Sequence, residues 1–285
     1  MKPAAFAYYA PRSLDEAVAL LARNGSEAKI LAGGQSLVPA MNFRMARPAA
    51  LVDINRIPGL DGIVAEDGWL RLGALVRHAR LEAPVAEGPL GRLLPEVARH
   101  IAHLPIRMRG TFCGSLAHAD PASEWCTTAL ALDAVMVAQG PAGRREIPAA
   151  AFFSHVFTTD LQPEEILVEA RLPLLDANWR CGFAEFSRRA GDFALTMAVV
   201  ALWLDGGVVR RASIALGGVA PTPVRAPGAA QALLGAAPGA ESFAAAAAIA
   251  AEEIEPQEDI HATAALRRDL IRAMVRRALL QAVPA

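Results

Sequence analysis

Leu31-Ala-Gly-Gly-Gln-Ser-Leu-Val-Pro39 joins an apolar run to two glycines, a serine and a second apolar segment. Because glycine has no Cβ, the pair allows a sharp turn and a close approach of the backbone to a ligand. Gln35 and Ser36 add side-chain donors, and Ser36 is suited to cap a short helix. A strand, a turn and a helix start together predict a nest of N–H groups for a phosphate. By itself the pattern is more often a plain turn.

The segments on either side of this turn predict a compact βαβ lobe of about 55 residues. Ser13-Leu-Asp-Glu16 has the pattern of a capping box, and Asn24-Gly25 closes the helix that it starts. The predicted strands are Phe6–Tyr9, Lys29–Ala32 and Ala50–Ile54. Ser36–Arg44 is predicted to form a short second helix.

A second lobe follows, punctuated by Pro58-Gly59 and Asp61-Gly62. Residues Arg109–Asp120 are rich in small side chains and predict an irregular loop. Asp120-Pro121 predicts a helix start, with Asp120 as N-cap and proline in the first turn. The remaining predicted elements of this lobe are strand Trp69–Gly73, helix Leu93–Ile101, a helix end and strand within Leu130–Ala138, and strand Glu165–Leu172.

From about Trp179 the pattern becomes strands and then helices, which predicts a second α+β domain after a boundary near Pro173–Asn178. Asp205-Gly206-Gly207 is typical of a hairpin turn. The predicted elements are strands Cys181–Ser187, Thr196–Leu204, Val208–Arg211 and Ile214–Leu216 and helices Gln231–Leu234, Ser242–Glu253 and Thr263–Gln281. The fold class is therefore predicted as α+β.

Composition narrows the function. A formal net charge of −1 gives no reason to expect nucleic acid or an anionic membrane as partner, and no stretch has the length and apolarity of a membrane span. The three cysteines, Cys113, Cys126 and Cys181, provide neither a disulfide framework nor metal spacing, which favours a cytoplasmic protein. An iron–sulfur cluster typically needs four thiolates, so this chain is expected to hold none.

Thr111-Phe-Cys-Gly-Ser115 is a second glycine segment, about 80 residues after the first. It supplies two hydroxyls and one position for close backbone approach. Glu124 follows nearby and is suited to accept hydrogen bonds from a ribose. Two such segments can hold one extended dinucleotide from two sides. Neither has the G-x-G-x-x-G pattern, and G-x-x-x-x-G-K-[ST] does not occur, so the sequence does not favour a Rossmann or P-loop site.

Several motifs occur in one family in the same order. They are Ala32-Gly-Gly-Gln-Ser36, Arg47-Pro48, Leu51-Val-Asp-Ile-Asn55, Arg109-Gly-Thr, Ala117-His-Ala-Asp-Pro121 and Arg188-Arg189-Ala-Gly-Asp-Phe-Ala194. With them the chain resembles the FAD-binding medium subunit of the molybdenum hydroxylases, the aerobic carbon monoxide dehydrogenase and xanthine dehydrogenase family. The resemblance implies a two-lobed FAD-binding domain of the vanillyl-alcohol-oxidase (PCMH) type at 1–175, with lobes 1–56 and 57–175, and a small α+β flavoprotein C-terminal domain at 178–285.

The resemblance also implies a set of cofactor contacts. Glu124 takes the place of an acidic ligand on the adenosine side, Ile101 and Leu167 line the flavin, and Asp192 and Phe193 reach back towards its ring. His118 and Asp120 belong to the second motif. The FAD diphosphate is expected at Ile30, Leu31, Ala32, Gly33, Gly34, Gln35, Ser36, Leu37, Thr111, Phe112, Cys113, Gly114 and Ser115.

Three positions depart from the family pattern. Cys113 stands where glycine is usual, Phe193 where some members have tyrosine, and Glu185 near a position that is often lysine. Cys113 leaves open a wider or different path for the second segment. The contact of the family lysine is not carried over to Glu185.

The resemblance implies an electron-transfer subunit. Substrate is hydroxylated at a molybdenum pterin in a large subunit, electrons pass through two [2Fe–2S] clusters in a small subunit, and FAD in this chain gives them to an external acceptor. The expected assembly is a dimer of heterotrimers, with any membrane association made through the complex. Two alternatives stay open: a free-standing FAD-dependent oxidoreductase, and a flavin-free scaffold subunit, towards which Cys113 leans. Neither the substrate nor the acceptor can be read from this chain.

Three smaller features have competing interpretations. His100 and His103, with Glu96, suggest either a metal site or, more simply, a helix end or partner contact. His118 is suited either to donate to a phosphate or to hold its segment through a backbone hydrogen bond. The last predicted helix has an apolar stripe (Leu266, Leu270, Ile271, Met274, Leu279) and five arginines (Arg267, Arg268, Arg272, Arg276, Arg277), expected as a solvated face or a docking face for an acidic subunit.

Overall fold

A computed structural model describes residues 1–284, in which four β-sheets pack with helices. The strands are β1 (Ala7–Tyr9), β2 (Ala28–Leu31), β3 (Ala50–Asp53), β4 (Ile63–Glu66), β5 (Trp69–Gly73), β6 (Val135–Gly140), β7 (Gly143–Pro148), β8 (Phe153–His155), β9 (Thr158–Thr159), β10 (Ile166–Pro173), β11 (Trp179–Phe186), β12 (Thr196–Asp205), β13 (Val208–Gly217) and β14 (Val224–Arg225). The helices are α1 (Leu14–Asn24), α2 (Leu37–Asn42), α3 (Gly88–His100), α4 (Leu104–Arg107), α5 (Phe112–His118), α6 (Glu124–Ala131), α7 (Ala149–Phe152), α8 (Pro227–Leu233), α9 (Ala240–Glu253) and α10 (Ala264–Ala282).

The first lobe is a parallel three-stranded sheet in the order β1-β3-β2, covered by α1, as its sequence pattern predicts. The Ser13 hydroxyl accepts from the Glu16 amide at 3.2 Å, which fixes the start of α1. The Glu16 carboxylate accepts from the Arg12 amide at 2.9 Å, one residue earlier than a standard capping box. The buried face of α1 holds Ala17, Val18 and Leu21 against the sheet, so β2 delivers the Gly-Gly turn from a fixed support.

The second lobe is an antiparallel five-stranded sheet in the order β4-β5-β10-β6-β7. Its central strand, β10, pairs with β5 and β6, and it alternates buried and half-buried residues in its second half. Strands β4 and β7 were not predicted, because their residues are mostly exposed and lack a strong apolar pattern. Helix α3 begins at Gly88, five residues before the predicted start.

Two local predictions for the second lobe are wrong. Residues 112–118 form helix α5 rather than an irregular loop, because the Thr111 hydroxyl caps it by accepting from the Gly114 amide at 3.0 Å. Asp120-Pro121 does not start a helix. The Asp120 carboxylate instead accepts from the Ala122 amide at 2.9 Å in a turn, and α6 begins at Glu124 after Ser123.

Residues from β11 onward form an antiparallel four-stranded sheet in the order β11-β12-β13-β14. Helices α9 and α10 pack against one face, while α3 and α6 contact the other side of the same strands. The two short strands predicted at Val208–Arg211 and Ile214–Leu216 are one continuous strand, β13, that accommodates a register shift opposite Trp203. Helix α8 begins at Pro227, four residues before the prediction.

The polar face predicted for the last helix needs one correction. Arg267 is only 3% exposed; it donates to the carbonyls of Leu195 and Gly218 and pairs with Asp259 at 2.6 Å. It therefore anchors α10 to two loops instead of facing solvent. Leu266, which was assigned to the apolar stripe, is 44% exposed.

Candidate functional site

The first glycine segment touches Arg109 and Gly110, the residues directly before the second segment. A Cβ added to Gly33 would lie 2.6 Å from the Arg109 carbonyl oxygen and 2.7 Å from the Gly110 Cα. Gly34 has a φ of +73°, which favours glycine, and its added Cβ would meet the Leu31 side chain at 3.0 Å. Glycine is therefore required at Gly33 by the neighbouring segment, and at Gly34 by its own backbone.

Hydrogen bonds hold the second segment in this position. The Phe112 amide donates to the Val76 carbonyl at 2.9 Å, and the His78 amide donates to the Gly110 carbonyl at 3.1 Å. The Arg77 guanidinium donates to the Asn55 side chain at 2.6 Å and to the Arg109 carbonyl. The Asn55 amide group in turn donates to the Ala32 carbonyl at 2.8 Å. This chain of contacts ties both segments to one framework.

Both segments line the same cavity, whose volume is about 610 Å³, within the usual size of a small-molecule or cofactor site. The opposite wall is formed by Phe157, Thr158, Thr159, Leu161, Gln162, Pro163 and Glu165. The Arg145 guanidinium binds Glu165 at 2.7 Å and Asp160 at 2.7 Å, and so fixes this wall. The predicted residues that line the cavity are Ile30, Ala32, Gly33, Gly34, Gln35, Ser36, Leu37, Thr111, Cys113, Gly114, Ser115, His118 and Leu167.

The first segment leaves backbone donors free. In the described chain the amide groups of Gly34, Gln35 and Ser36 donate to no protein acceptor. Ser36 precedes α2, but its hydroxyl makes no capping bond, contrary to the expectation from sequence. Three consecutive free N–H groups at a turn are suited to a phosphate anion. The donor set therefore fits a diphosphate, whereas the space at the absent Cβ atoms of Gly33 and Gly34 is taken by protein atoms.

Two predicted residues lie just behind the cavity wall. Leu31 lines a smaller adjoining cavity of about 300 Å³ with Gly33, Gly34 and Gln35. Phe112 is fully buried, with its ring centroid 4.9 Å from that of Trp125. Phe112 thus supports the second segment from below.

The predicted flavin contacts from the C-terminal part lie at another place, near the end of α3. Gly191 has a φ of +84° and lies against the Ala102 carbonyl and the His103 ring, so its loop contacts the residues that follow Ile101. Asp192 and Phe193 are on this loop, and Phe193 is 75% exposed. Ile101 is buried. None of these three residues lines the main cavity.

Glu124 is buried at the start of α6 and Glu185 is half-buried in β11; the charge of Glu124 acts on Glu185, and neither residue lines the cavity. Burial raises the pKa of Glu124 to about 7, and the Asp120 charge adds to this rise. Burial raises the pKa of Glu185 to about 9, and the Glu124 charge adds to it. Oxygen Oε2 of Glu185 is buried without a hydrogen-bond partner among residues 1–284. Glu185 therefore retains its proton at neutral pH, where Glu124 is close to its own pKa.

Cys113 is a packing residue. Its side chain is 2% exposed, and Sγ lies 3.6 Å from the Leu72 carbonyl, so the thiol is directed towards the sheet. Burial strongly raises the pKa of the thiol, which keeps it protonated. Cysteine thus occupies a position at which the family usually has glycine, and its sulfur does not point at the free amides of the first segment.

The three histidines with open interpretations have protein contacts. The His118 ring stacks near the Phe157 ring, with centroids 4.9 Å apart, and burial lowers its pKa. His100 packs edge-on against Phe183 and bonds to the Glu96 carbonyl at 2.9 Å. His103 precedes α4 and meets Gly191. Nowhere in residues 1–284 do three His, Cys, Asp or Glu side chains gather as a metal site would require.

Sequence reasoning missed several residues of the cavity. His78 lines it from the segment that pairs with Gly110, and Phe157 and Leu161 come from the opposite wall. No local motif marks these residues, because their positions depend on pairing over 30 or more residues. Asn55 was quoted only as part of a motif, although it links the Gly-Gly turn to Arg77.

The cavity between the two segments is a candidate nucleotide-cofactor site that lacks the Rossmann and P-loop motifs. Residues 4–175 match the family model for the FAD binding domain in molybdopterin dehydrogenase, and residues 182–282 match that for the CO dehydrogenase flavoprotein C-terminal domain. The chain therefore belongs to the family of FAD-binding medium subunits of the molybdenum hydroxylases, and FAD is the cofactor of its domain. This confirms the resemblance found in the sequence and the predicted α+β class.

Individual relatives agree over almost the whole chain. The 6-hydroxypseudooxynicotine dehydrogenase complex subunit alpha of Paenarthrobacter nicotinovorans is 43% identical, over 99% of this chain and 96% of its own. The carbon monoxide dehydrogenase medium chain of Hydrogenophaga pseudoflava is 40% identical, over 98% and 97%. A solved structure of carbon monoxide dehydrogenase from the same organism matches with a TM-score of 0.94 and 42% identity, over 99% of this chain and 98% of that chain. Like these relatives, the chain is an FAD-binding subunit of a multi-subunit oxidoreductase.

Proposed function

We propose that the chain holds the FAD diphosphate between the Gly33-Gly34 turn and the start of α5. The single observation that supports this most strongly is the shared cavity, in which the free amides of Gly34, Gln35 and Ser36 face the segment that contains Gly114. Hydrogen bonds from backbone N–H to a charged oxygen are among the stronger ones in proteins. Seven further residues stay proposed as FAD contacts from the sequence: Leu31, Ile101, Phe112, Asp120, Glu124, Asp192 and Phe193.

The proposed role is electron transfer from an iron–sulfur partner subunit to an external acceptor. Bound FAD supplies two-electron acceptance and single-electron release, so it can couple one-electron carriers to two-electron acceptors. The three cysteines of this chain are too few for a [2Fe–2S] cluster with four thiolates. As the family resemblance implies, we assign the clusters and the molybdenum pterin to small and large partner subunits, in a dimer of heterotrimers.

The protein's own residues position the cofactor and exclude water. The buried, protonated thiol of Cys113 offers no nucleophile at the diphosphate, and the Glu165 carboxylate on the cavity wall is paired with Arg145. Asn55 and Arg77 keep the two segments at a fixed separation. Rigid support of this kind limits reorganisation around a cofactor.

Substrate choice is assigned to the large subunit, since relatives named for carbon monoxide and for 6-hydroxypseudooxynicotine are similar to this chain over nearly its whole length. The physiological acceptor is not specified by this chain.

In the described residues no helix combines the length and apolarity needed to cross a bilayer. We propose a cytoplasmic location and a domain division at 1–175 and 178–285, which limited proteolysis between residues 174 and 180 tests.

The electron-transfer role is tested on the assembled complex. The chain is purified with its iron–sulfur and molybdenum partners, FAD is removed and restored, and reoxidation of photoreduced clusters by a dye acceptor is followed optically. The proposal expects cluster reoxidation to slow strongly without FAD and to recover when FAD is added back. Equal reoxidation with and without FAD would contradict it, and a chain that never binds FAD would support the scaffold alternative.

A further inference from the structure

His78 is a histidine on the cavity wall that no motif identifies. His78 is only 4% exposed, yet it lines the same cavity as Gly33 and Gly114. Its backbone amide donates to the Gly110 carbonyl at 3.1 Å, which fixes it alongside the second segment. An added Cβ on Gly110 would lie 2.6 Å from His78 Nε2. The imidazole therefore fills the space that Gly110 leaves, at the junction of the two glycine segments.

The tautomer of His78 is determined by its neighbour. Trp125 Nε1 lies 3.0 Å from His78 Nδ1, and the indole N–H can only donate. Nδ1 is therefore the acceptor, and in a neutral ring the proton must be on Nε2. Trp125 is itself fully buried and packs on Phe112, so the pair is held rigidly.

The ring is neutral under physiological conditions. The pKa of His78 is lowered to about 4. Burial is the main cause, and the positive charges of Arg77 and Arg107 contribute to the lowering. In the neutral ring Nε2 therefore carries an N–H donor without a positive charge. Among residues 1–284 this N–H has no protein acceptor, and Nε2 is not among the fully enclosed polar atoms, so it keeps accessible surface in a residue that lines the cavity.

We propose that His78 donates its Nε2–H to an oxygen of the FAD diphosphate and so acts as a third, side-chain element of the diphosphate site. The proposal rests on the proposed function, because it requires FAD in this cavity. A neutral donor also adds no charge beside Arg77 and Arg109, which already provide positive potential near the first segment.

The test compares two variants of the full chain, His78→Leu and His78→Gln. Leucine removes the donor, whereas the glutamine amide places an N–H at about the reach of imidazole Nε2. Leucine offers Trp125 no acceptor, whereas the glutamine carbonyl can still accept from the indole N–H, so the melting temperatures of the apoproteins are used to separate the loss of that contact from the loss of the donor. FAD dissociation constants are measured by flavin fluorescence, with melting temperatures of the apoproteins. Phosphorus NMR of bound FAD at saturation reports the environment of the diphosphate.

The expected result is a loss of FAD affinity of about 10- to 100-fold in His78→Leu, the range for one hydrogen bond to a charged group, and a smaller loss in His78→Gln. At least one phosphorus resonance should differ between wild type and His78→Leu. Equal affinity in wild type and His78→Leu, equal losses in both variants, or unchanged phosphorus resonances would overturn the proposal. Absence of FAD binding by the wild type would instead refute the proposed function.

Discussion

Replacing Gly33 with alanine tests the contact between the two glycine segments. The new Cβ would lie 2.6 Å from the Arg109 carbonyl oxygen and 2.7 Å from the Gly110 Cα, about 0.8 Å closer than ordinary van der Waals contact. Both atoms belong to backbone that is held by hydrogen bonds to Val76 and His78, so a side-chain rotation cannot relieve the clash. Overpacking of this kind typically costs about 1–3 kcal/mol. The segments must separate, and the free amides then lose their alignment with the second segment.

We expect Gly33→Ala to weaken FAD binding about 5- to 150-fold, which corresponds to that cost, and to lower the melting temperature of the apoprotein by a few degrees. Gly62→Ala is the control, because Gly62 has no positive φ and its added Cβ would meet only one atom, at 3.8 Å. FAD affinity is measured by fluorescence titration of the deflavinated full chain. If Gly33→Ala bound FAD as tightly as the Gly62→Ala control, the two segments would not enclose the cofactor as described.

Three further predictions concern other parts of the molecule. Because the pKa of Glu185 is raised in the folded state, the folded protein binds more protons than the unfolded one between about pH 5 and pH 9, so this group makes stability fall as pH rises through that window. Glu185→Gln should therefore melt progressively higher than wild type as pH increases, and a constant difference across the window would argue against a protonated Glu185. Arg267→Ala should lower the free energy of unfolding by about 2–4 kcal/mol, because two carbonyls lose a buried charged donor. Arg276 is exposed, so the control Arg276→Ala should change the free energy of unfolding by less than about 0.5 kcal/mol. Similar denaturant midpoints for the two variants would contradict the anchoring role of Arg267. Cys113→Ala should leave FAD affinity within about threefold of wild type, because the thiol is directed at the Leu72 carbonyl, and a tenfold change in a fluorescence titration would show that the sulfur affects the site.

Local chemistry made the first lobe predictable from sequence. The Ser13 cap, the helix period of α1 and the Gly33-Gly34 turn act within a few residues of one another, and each forms as its pattern indicates, although Glu16 accepts from Arg12 rather than from Ser13. Most of the predicted diphosphate residues also share one cavity. The family resemblance, which depends on the order of several motifs, supplied the cofactor that the residues alone left open.

Features that depend on distant partners could not be predicted. Thr111 caps a helix that small residues made look like a loop, and the three-residue spacing to Gly114 was the one local signal for it. Arg267 falls on the polar side of a helical wheel, but two loops from elsewhere in the chain cover it. His78 gains its place from pairing with residues 110–112, which no periodicity reveals.

The central claim, that two distant glycine segments enclose the diphosphate of FAD, is tested most directly by comparing FAD with FMN as ligands of the deflavinated full chain. FMN keeps the flavin but lacks the second phosphate and the adenosine. The account predicts one FAD bound per chain and FMN binding weaker on the order of 100-fold, because several charge-assisted hydrogen bonds are lost. FMN binding as tightly as FAD, or no stoichiometric binding of FAD, would contradict it.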